Sequence, residues 1–311
     1  RYDAFGTEKF DALYKKYEKD KSIPKKTIAA QELFADLLKE RAETGRIYIM
    51  NIDHSNSHSS FKDKVSMSNL CQEITLPTTP IKSIDDPEGE IALCILSAIN
   101  VGAIGNLSEL EGLCDLSVRA LDEIIELQDY PVKAAEVSTK SRRSLGIGYI
   151  GLAHYLAKNG VKYSDPKAWE LVDRLSEAFQ YYLLRASCDI AEEKGKCTAF
   201  DRTKYADGLL PIDHYKKEVD EIVTHKQRMA WETLRKDILK YGLRHSTLSA
   251  QMPSESSSVV SNETNGIEPP RALLSIKKSK KGPLKQIVPG FPNLKNAYTL
   301  LWDMGGNEGY I

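Results

Sequence analysis

Ser144-Leu145-Gly146-Ile147-Gly148-Tyr149-Ile150 carries no charge, and a helical pattern from Leu152 to Asn159 follows it and stops at Gly160. A buried strand that feeds directly into a helix is the repeating unit of an alternating α/β fold. The glycines of the run do not complete the GxGxxG spacing of a phosphate-binding loop. Upstream, Ile91-Ala92-Leu93-Cys94-Ile95-Leu96 is short enough for a second strand buried on both faces, although periodicity alone does not exclude a helix. Downstream, Ser246-Thr247-Leu248-Ser249-Ala250-Gln251-Met252 reads as a short strand ended by Pro253. Arg46 to Asn51 reads as another.

Helical stripes fill the spaces between these runs. Ile28, Leu33, Phe34, Leu37 and Leu38 form one that stops at Glu43-Thr44-Gly45. Ser108 with Glu111 makes a capping box for a face through Leu110, Leu113, Cys114, Leu121 and Ile124, reaching about Gln128. Trp169, Val172, Leu175, Phe179, Leu183, Ala186 and Ile190 predict a long helix ended by Gly195. The charged region Asp213 to Lys240 is partly helical, and polar Asp53 to Met67 reads as a long loop. With no fixed-period repeat and no clean linker, residues 1–311 are expected to form a single alternating α/β domain, with a barrel as one closed form.

Forty-three basic against forty-four acidic side chains leave no net field for general nucleic-acid or membrane attraction, so any anion site must be local. No apolar stretch approaches a bilayer span, and Arg1-Tyr2-Asp3-Ala4 has no signal-peptide architecture, which predicts a cytoplasmic protein. The five cysteines are widely spread and have no CxxC or Cys/His spacing, so neither a disulfide scaffold nor a metal site is expected. A start without methionine and a stop at Gly309-Tyr310-Ile311 read as an excerpt of a longer chain.

Three segments carry chemistry. In Ser68-Asn69-Leu70-Cys71-Gln72-Glu73 an extended backbone would put an amide, a thiol and a carboxylate on one face. Burying them unpaired would cost about 1–3 kcal/mol each, which favours working groups; the alternative is an inert cysteine on a solvated strand. In Pro253-Ser254-Glu255-Ser256-Ser257 a proline-initiated turn offers hydroxyls and free N–H groups to an anion where a helix begins. Ordinary capping by serine is the alternative, and Glu255 opposes phosphate unless its carboxylate turns away. Lys277, Lys278, Lys280, Lys281 and Lys285 lack interleaved aromatics and read as a solvated surface loop.

Five separated segments together resemble the large catalytic subunit of class I ribonucleotide reductase, in its bacterial and phage class Ia branch. They are Ser68 to Ile74, Ala92-Leu93-Cys94, Arg142 to Gly148, Met252 to Ser257, and Asn262 to Gly266 with Glu268-Pro269-Pro270-Arg271. The resemblance covers essentially the whole chain. It implies a ten-stranded α/β barrel with a central finger loop, of which this chain is the C-terminal half or so. By residue, it makes Cys71 the thiyl radical that takes the ribose 3′ hydrogen, Glu73 the base for the 3′ hydroxyl, and Asn69 the amide that holds the substrate hydroxyls. Cys94 becomes one of two reducing thiols, and Ser254, Glu255, Ser256 and Ser257 the diphosphate site; Glu255 occurs at this place in that branch. A thiol S–H bond is weak enough to exchange hydrogen with an activated sugar C–H, whereas hydroxyls are not.

The same resemblance implies a ribonucleoside diphosphate substrate, the N-terminal remainder of the alpha subunit, an alpha homodimer and a small beta subunit whose metal generates the radical. It also implies an external dithiol reductant of the thioredoxin or glutaredoxin type, with no cofactor or metal held by this chain and no direct nucleic-acid or membrane binding. No cysteine precedes Cys71, so the thiol partner of Cys94 lies outside the sequence and the segment alone is expected to be inactive. Two other readings stand beside this one. One is a non-catalytic barrel fragment serving assembly; the other is a cysteine hydrolase pairing Cys71 with His54 or His58, for which nothing orients either histidine.

Overall fold

The computed structural model describes residue 4 and residues 7–221, 226–279 and 282–299. Three helices come first: α1 (Glu8–Lys19), α2 (Ala30–Thr44) and α3 (Ile52–His58). Then β1 (Ile95–Asn100), α4 (Glu109–Leu127), α5 (Lys133–Arg142) and β2 (Leu145–Ile150) form a strand, crossover and strand. After α6 (Leu152–Lys158) and α7 (Pro166–Lys194) follow the short α8 (Pro211–His214), α9 (Trp231–Tyr241) and α10 (Glu255–Val260). A hairpin of β3 (Leu274–Ser279) and β4 (Gly282–Ile287) follows.

β1 and β2 pair in parallel from Ile95 with Leu145 to Asn100 with Ile150. β2 is buried at every position, as an uncharged run requires. Its Leu145, Ile147 and Tyr149 enter one core with Ile99, roofed by Leu110, Cys114, Val118 and Ile125 of α4 and by Leu175, Phe179 and Leu183 of α7. Tyr149 meets Phe179 edge to face at 5.3 Å. The Thr247 to Ala250 run lies along the other edge of β2. Leu145 N–H donates to Thr247 O (3.1 Å), Ile147 N–H to Leu248 O (2.8 Å), and Ala250 N–H to Ile147 O (3.1 Å). A two-residue step on β2 meets a one-residue step opposite, so only the Ile147 and Ser249 bridge is regular. No described helix is long and apolar enough to cross a membrane.

Several expectations are corrected. The strand expected over Ile91–Leu96 runs instead over Ile95–Asn100, because its extent is set by the partner β2 and Ile91 N–H bonds Ala134 O outside the sheet. Arg46 to Asn51 is not a strand; no neighbouring strand pairs with it among the described residues. The Asp53–Met67 loop begins with α3, held by Asn56 Nδ2 to Ile52 O (2.8 Å) and Ser57 Oγ to Asp53 O (2.9 Å). Ser108 makes no side-chain cap; Glu109 Oε1 instead accepts the N–H groups of Gly105 (3.0 Å) and Asn106 (2.9 Å). The lysine-rich loop is the β3–β4 hairpin, with Lys280 and Lys281 outside the described residues. The α2 stripe forms its helix but leaves Leu33 54% and Phe34 60% exposed.

Below β2 a buried carboxylate ties four segments together. Asp122 accepts from Arg143 Nε (2.7 Å), Arg244 Nε (3.3 Å) and His245 Nε2 (3.1 Å), while Ser187 Oγ lies 2.9 Å from His245 Nδ1. These partners fit the neutral Nε2–H tautomer. Burial pushes the His245 imidazole down to about 4 against the pull of Asp122. Below its unfolded pKa of about 6.5 the unfolded chain binds a proton that the folded chain refuses, so stability falls as pH drops from about 6.5 toward 4. His214, also lowered by burial, acts with the same sign. The urea midpoint is expected to be lower at pH 5 than at pH 7, and His245→Gln to flatten that slope; an unchanged slope would show that the imidazole titrates freely.

Candidate active site

The segment that carries Cys71 is held at both arms by ion pairs to the buried Arg142. Arg142, 1% exposed, bonds Asp63 Oδ2 (2.8 Å) on one arm and Glu90 Oε2 (2.8 Å) on the other. Arg202 reaches the same pair, with Nε 2.7 Å from Asp63 and Nη1 3.0 Å from Glu90. Thr79 Oγ1 adds a donor to Glu90 (3.0 Å), and the Phe61 ring faces the Arg142 guanidinium at 5.9 Å. Asp63 and Glu90 were not legible as partners because no local spacing links them to Arg142. The only signal was the position of Arg142 in an otherwise buried strand approach.

Between those arms the backbone is not extended. Gln72 lies at φ 63°, its N–H bonds Asn69 O (3.2 Å), and Asn69 Oδ1 accepts the Ile74 N–H (3.1 Å). An asparagine that satisfies nearby backbone groups folds a chain into a turn in preference to an unpaired strand. The alternation expected for Asn69, Cys71 and Glu73 therefore fails. Cys71 is exposed at the loop tip beside Leu70, which is 76% exposed.

Glu73 turns inward. It lines a cavity of about 220 Å³ with Cys94, Gln180, His214, Thr247 and Ser249. Its Oε2 is buried with no hydrogen-bond partner among the described residues. Burial, then the negative charge of Glu73, push the Cys94 thiol up to about 12. A group so placed is a protonated thiol at neutral pH, suited to giving up hydrogen and not to nucleophilic attack. Cys114, Cys188 and Cys197 are buried core residues. His54 packs edge-on to His58 at 6.2 Å, and His58 Nδ1 lies 2.5 Å from His214 O, so the described contacts put neither ring on Cys71.

The serine bend lies toward the other end of the parallel runs. Met252 packs where a Gly148 Cβ would stand, and Ser254 N–H donates to Asn265 Oδ1 (2.6 Å) before α10 begins. The structure does not bring Ser254, Ser256 or Ser257 into the cavity of Glu73 and Cys94. Glu255 is engaged by Lys277 (3.0 Å) and Arg271 (3.3 Å) from the hairpin side. Those two cations lower its carboxyl pKa, Lys277 most, and offset the charge that would oppose an anion.

Parallel strands with helices on one face, and a thiol beside a carboxylate on the other, define an α/β protein with a candidate site for thiol chemistry. The sequence matches the family described as ribonucleotide reductase, barrel domain, over residues 2–302. It is 57% identical over 307 residues to the ribonucleoside-diphosphate reductase subunit alpha of Buchnera aphidicola subsp. Schizaphis graminum, covering 98% of this chain and 40% of that protein. It is 56% identical over 315 residues to the alpha subunit of Haemophilus influenzae, covering 100% of this chain and 42% of that protein. Against the reductase 1 alpha subunit of Escherichia coli K12 it is 55% identical over 315 residues, covering 100% and 41%. The chain belongs to the ribonucleotide reductase barrel-domain family. It spans about two fifths of the length of these relatives. The comparisons give no support to a cysteine hydrolase or to a fragment kept only for assembly.

Proposed function

We propose that residues 1–311 form the radical-bearing part of the catalytic barrel of a class I ribonucleotide reductase alpha subunit, reducing ribonucleoside diphosphates to deoxyribonucleoside diphosphates. The observation that carries this reading is the cavity shared by Glu73 and Cys94 in a chain that matches the family almost end to end. The 68–73 turn is the finger loop of a ten-stranded barrel. Exposed Leu33, Phe34 and Leu70 suit coverage by the N-terminal remainder of the subunit, which would enclose Cys71. The beta subunit supplies the radical from its metal centre, an external dithiol of the thioredoxin or glutaredoxin type restores the thiols, and the alpha chains pair as a homodimer.

At the site, the Cys71 sulfur radical takes the hydrogen atom from ribose C3′. Glu73 accepts the 3′ hydroxyl proton, which drives out the neighbouring 2′ hydroxyl; that group leaves as water with a proton from one thiol. Cys94 and its partner thiol together give two hydrogens and end as a disulfide, one as the proton that leaves in water and one to C2′, after which Cys71 returns its hydrogen atom to C3′ and Glu73 its proton to O3′. Asn69, whose Oδ1 braces the loop, offers its amide N–H groups to the ribose hydroxyls. The first-turn N–H groups of Glu255, Ser256 and Ser257, with the Ser254 hydroxyl beside them, hold the diphosphate, and the Glu255 carboxylate is kept aside by Lys277 and Arg271.

The test is turnover of the full-length alpha subunit with its radical-generating partner. Glu73→Gln keeps the shape but not the base, and is expected to lower kcat about 10²–10⁴-fold with little change in KM. A Glu73→Gln enzyme with wild-type kcat would remove the base from the scheme.

A further inference from the structure

Two glycines of β2, at 146 and 148, face away from the helical core, on the side of the sheet that carries Cys94, Leu96, Ala250 and Met252. Neither has a positive φ, so backbone strain does not demand glycine at either place. Space does. A Cβ on Gly148 would fall 2.5 Å from the Ala250 carbonyl oxygen, a backbone atom that cannot yield, which makes that glycine a requirement of strand packing. At Gly146 the obstruction is different. A Cβ there would lie 2.6 Å from Leu96 Cδ2, 2.7 Å from Cys94 Sγ and 3.1 Å from Ala250 Cβ.

We propose that Gly146 is a positioning residue for the Cys94 thiol, its bare backbone being the seat on which the sulfur rests. This deepens the reading of Cys94 as a redox thiol and rests on it. Of the three neighbours, Leu96 can rotate aside and Ala250 has no rotamer to change, so a side chain at 146 is resolved chiefly by moving the sulfur. Cys94 is backed by the Phe61, Val65 and Leu76 cluster, which leaves it little freedom to retreat without changing its approach to a second thiol. Closing a disulfide needs a narrow Cβ separation and torsion, so a small displacement of Sγ stops the bond from forming.

The experiment compares Gly146→Ala, Cys94→Ala and the double variant in the full-length alpha subunit assembled with its radical partner, with Gly112→Ala as a control because its Cβ would meet open space. Gly146→Ala is expected to lower kcat about 10²-fold while KM stays put, in keeping with an ångström-scale misplacement. It should also change the rate at which a small alkylating agent labels Cys94 relative to Cys71, read by mass spectrometry. The loss in denaturation midpoint caused by Gly146→Ala should shrink when residue 94 is alanine, and a Gly146→Ala chain that fails to fold should recover its fold in the double variant. Wild-type kcat and labelling ratio in Gly146→Ala, an equal midpoint loss in both backgrounds, or a double variant that also fails to fold would each overturn the seat. If Cys94→Ala turns over like the wild type, the redox reading of Cys94 fails instead, and the labelling ratio and midpoint coupling still decide whether Gly146 seats the sulfur.

Discussion

Replacing Cys71 by serine in the full-length alpha subunit is expected to abolish nucleotide reduction and to leave folding unchanged. Serine is close to cysteine in size, and the thiol lies on a turn outside both apolar clusters of this chain, so exchanging sulfur for oxygen there leaves that packing intact. What changes is the bond to hydrogen. A serine O–H is too strong to be broken and remade reversibly against a sugar C–H, so in the proposed scheme the radical would have no residue on which to rest at the substrate. Product formation should fall to background while the denaturation midpoint and substrate binding stay at wild-type values. A serine variant that still reduces nucleoside diphosphates would move the chemistry away from this loop. Because the turn already fixes Gln72 at positive φ and ties Asn69 to Ile74, the substitution tests the atom and not the conformation that presents it.

The parts of the fold that were legible are those whose pattern is local. β2 is uncharged along its whole length, and α7 repeats its apolar positions every three or four residues through Ile190 to Gly195. The strand over Ile95–Asn100 was misplaced because its limits depend on β2, which lies fifty positions away by their register. The capping box at Ser108 lost to Glu109, whose longer side chain reaches the N–H groups of the preceding turn. At the site, the residue types at 69, 71 and 73 were readable, but their geometry was set by a contest between strand and asparagine turn that spacing does not decide. Residue spacing likewise gave no sign that Glu73 and Cys94 share a cavity; the resemblance implied a common substrate for them, and the folded chain brings the loop against the start of β1.

Arg142→Met should be the most damaging change outside the reacting groups. It leaves Glu90, buried, and Asp63 with Arg202 as their remaining cation among the described residues, and the Arg202 side chain is 44% exposed. Breaking a buried pair by removing one partner costs about 3–5 kcal/mol, because the remaining charge keeps its desolvation penalty without its compensation. The damage should also reach activity: Asp63 and Glu90 stand on opposite arms of the segment bearing Cys71, and Glu90 lies four residues before Cys94. Arg142→Lys keeps the charge but not the fork that reaches both carboxylates, so it is expected to lie between methionine and wild type in midpoint and kcat. Acid provides an independent check. Burial alone would raise the Glu90 carboxyl, but bonds from Arg142 and Arg202 prevail and hold it down to about 2. A depressed carboxylate contributes stability above its unfolded pKa of about 4.3 and loses it as pH falls toward 2. With Arg142 gone, burial is less opposed, the folded pKa rises, and that contribution shrinks at every pH above the window. Acid unfolding of Arg142→Met should therefore begin at higher pH than in the wild type, with a lower denaturant midpoint at neutral pH. A variant that matches wild type in both would show that Arg202 alone holds the two arms, and the clamp would have to be redrawn around it.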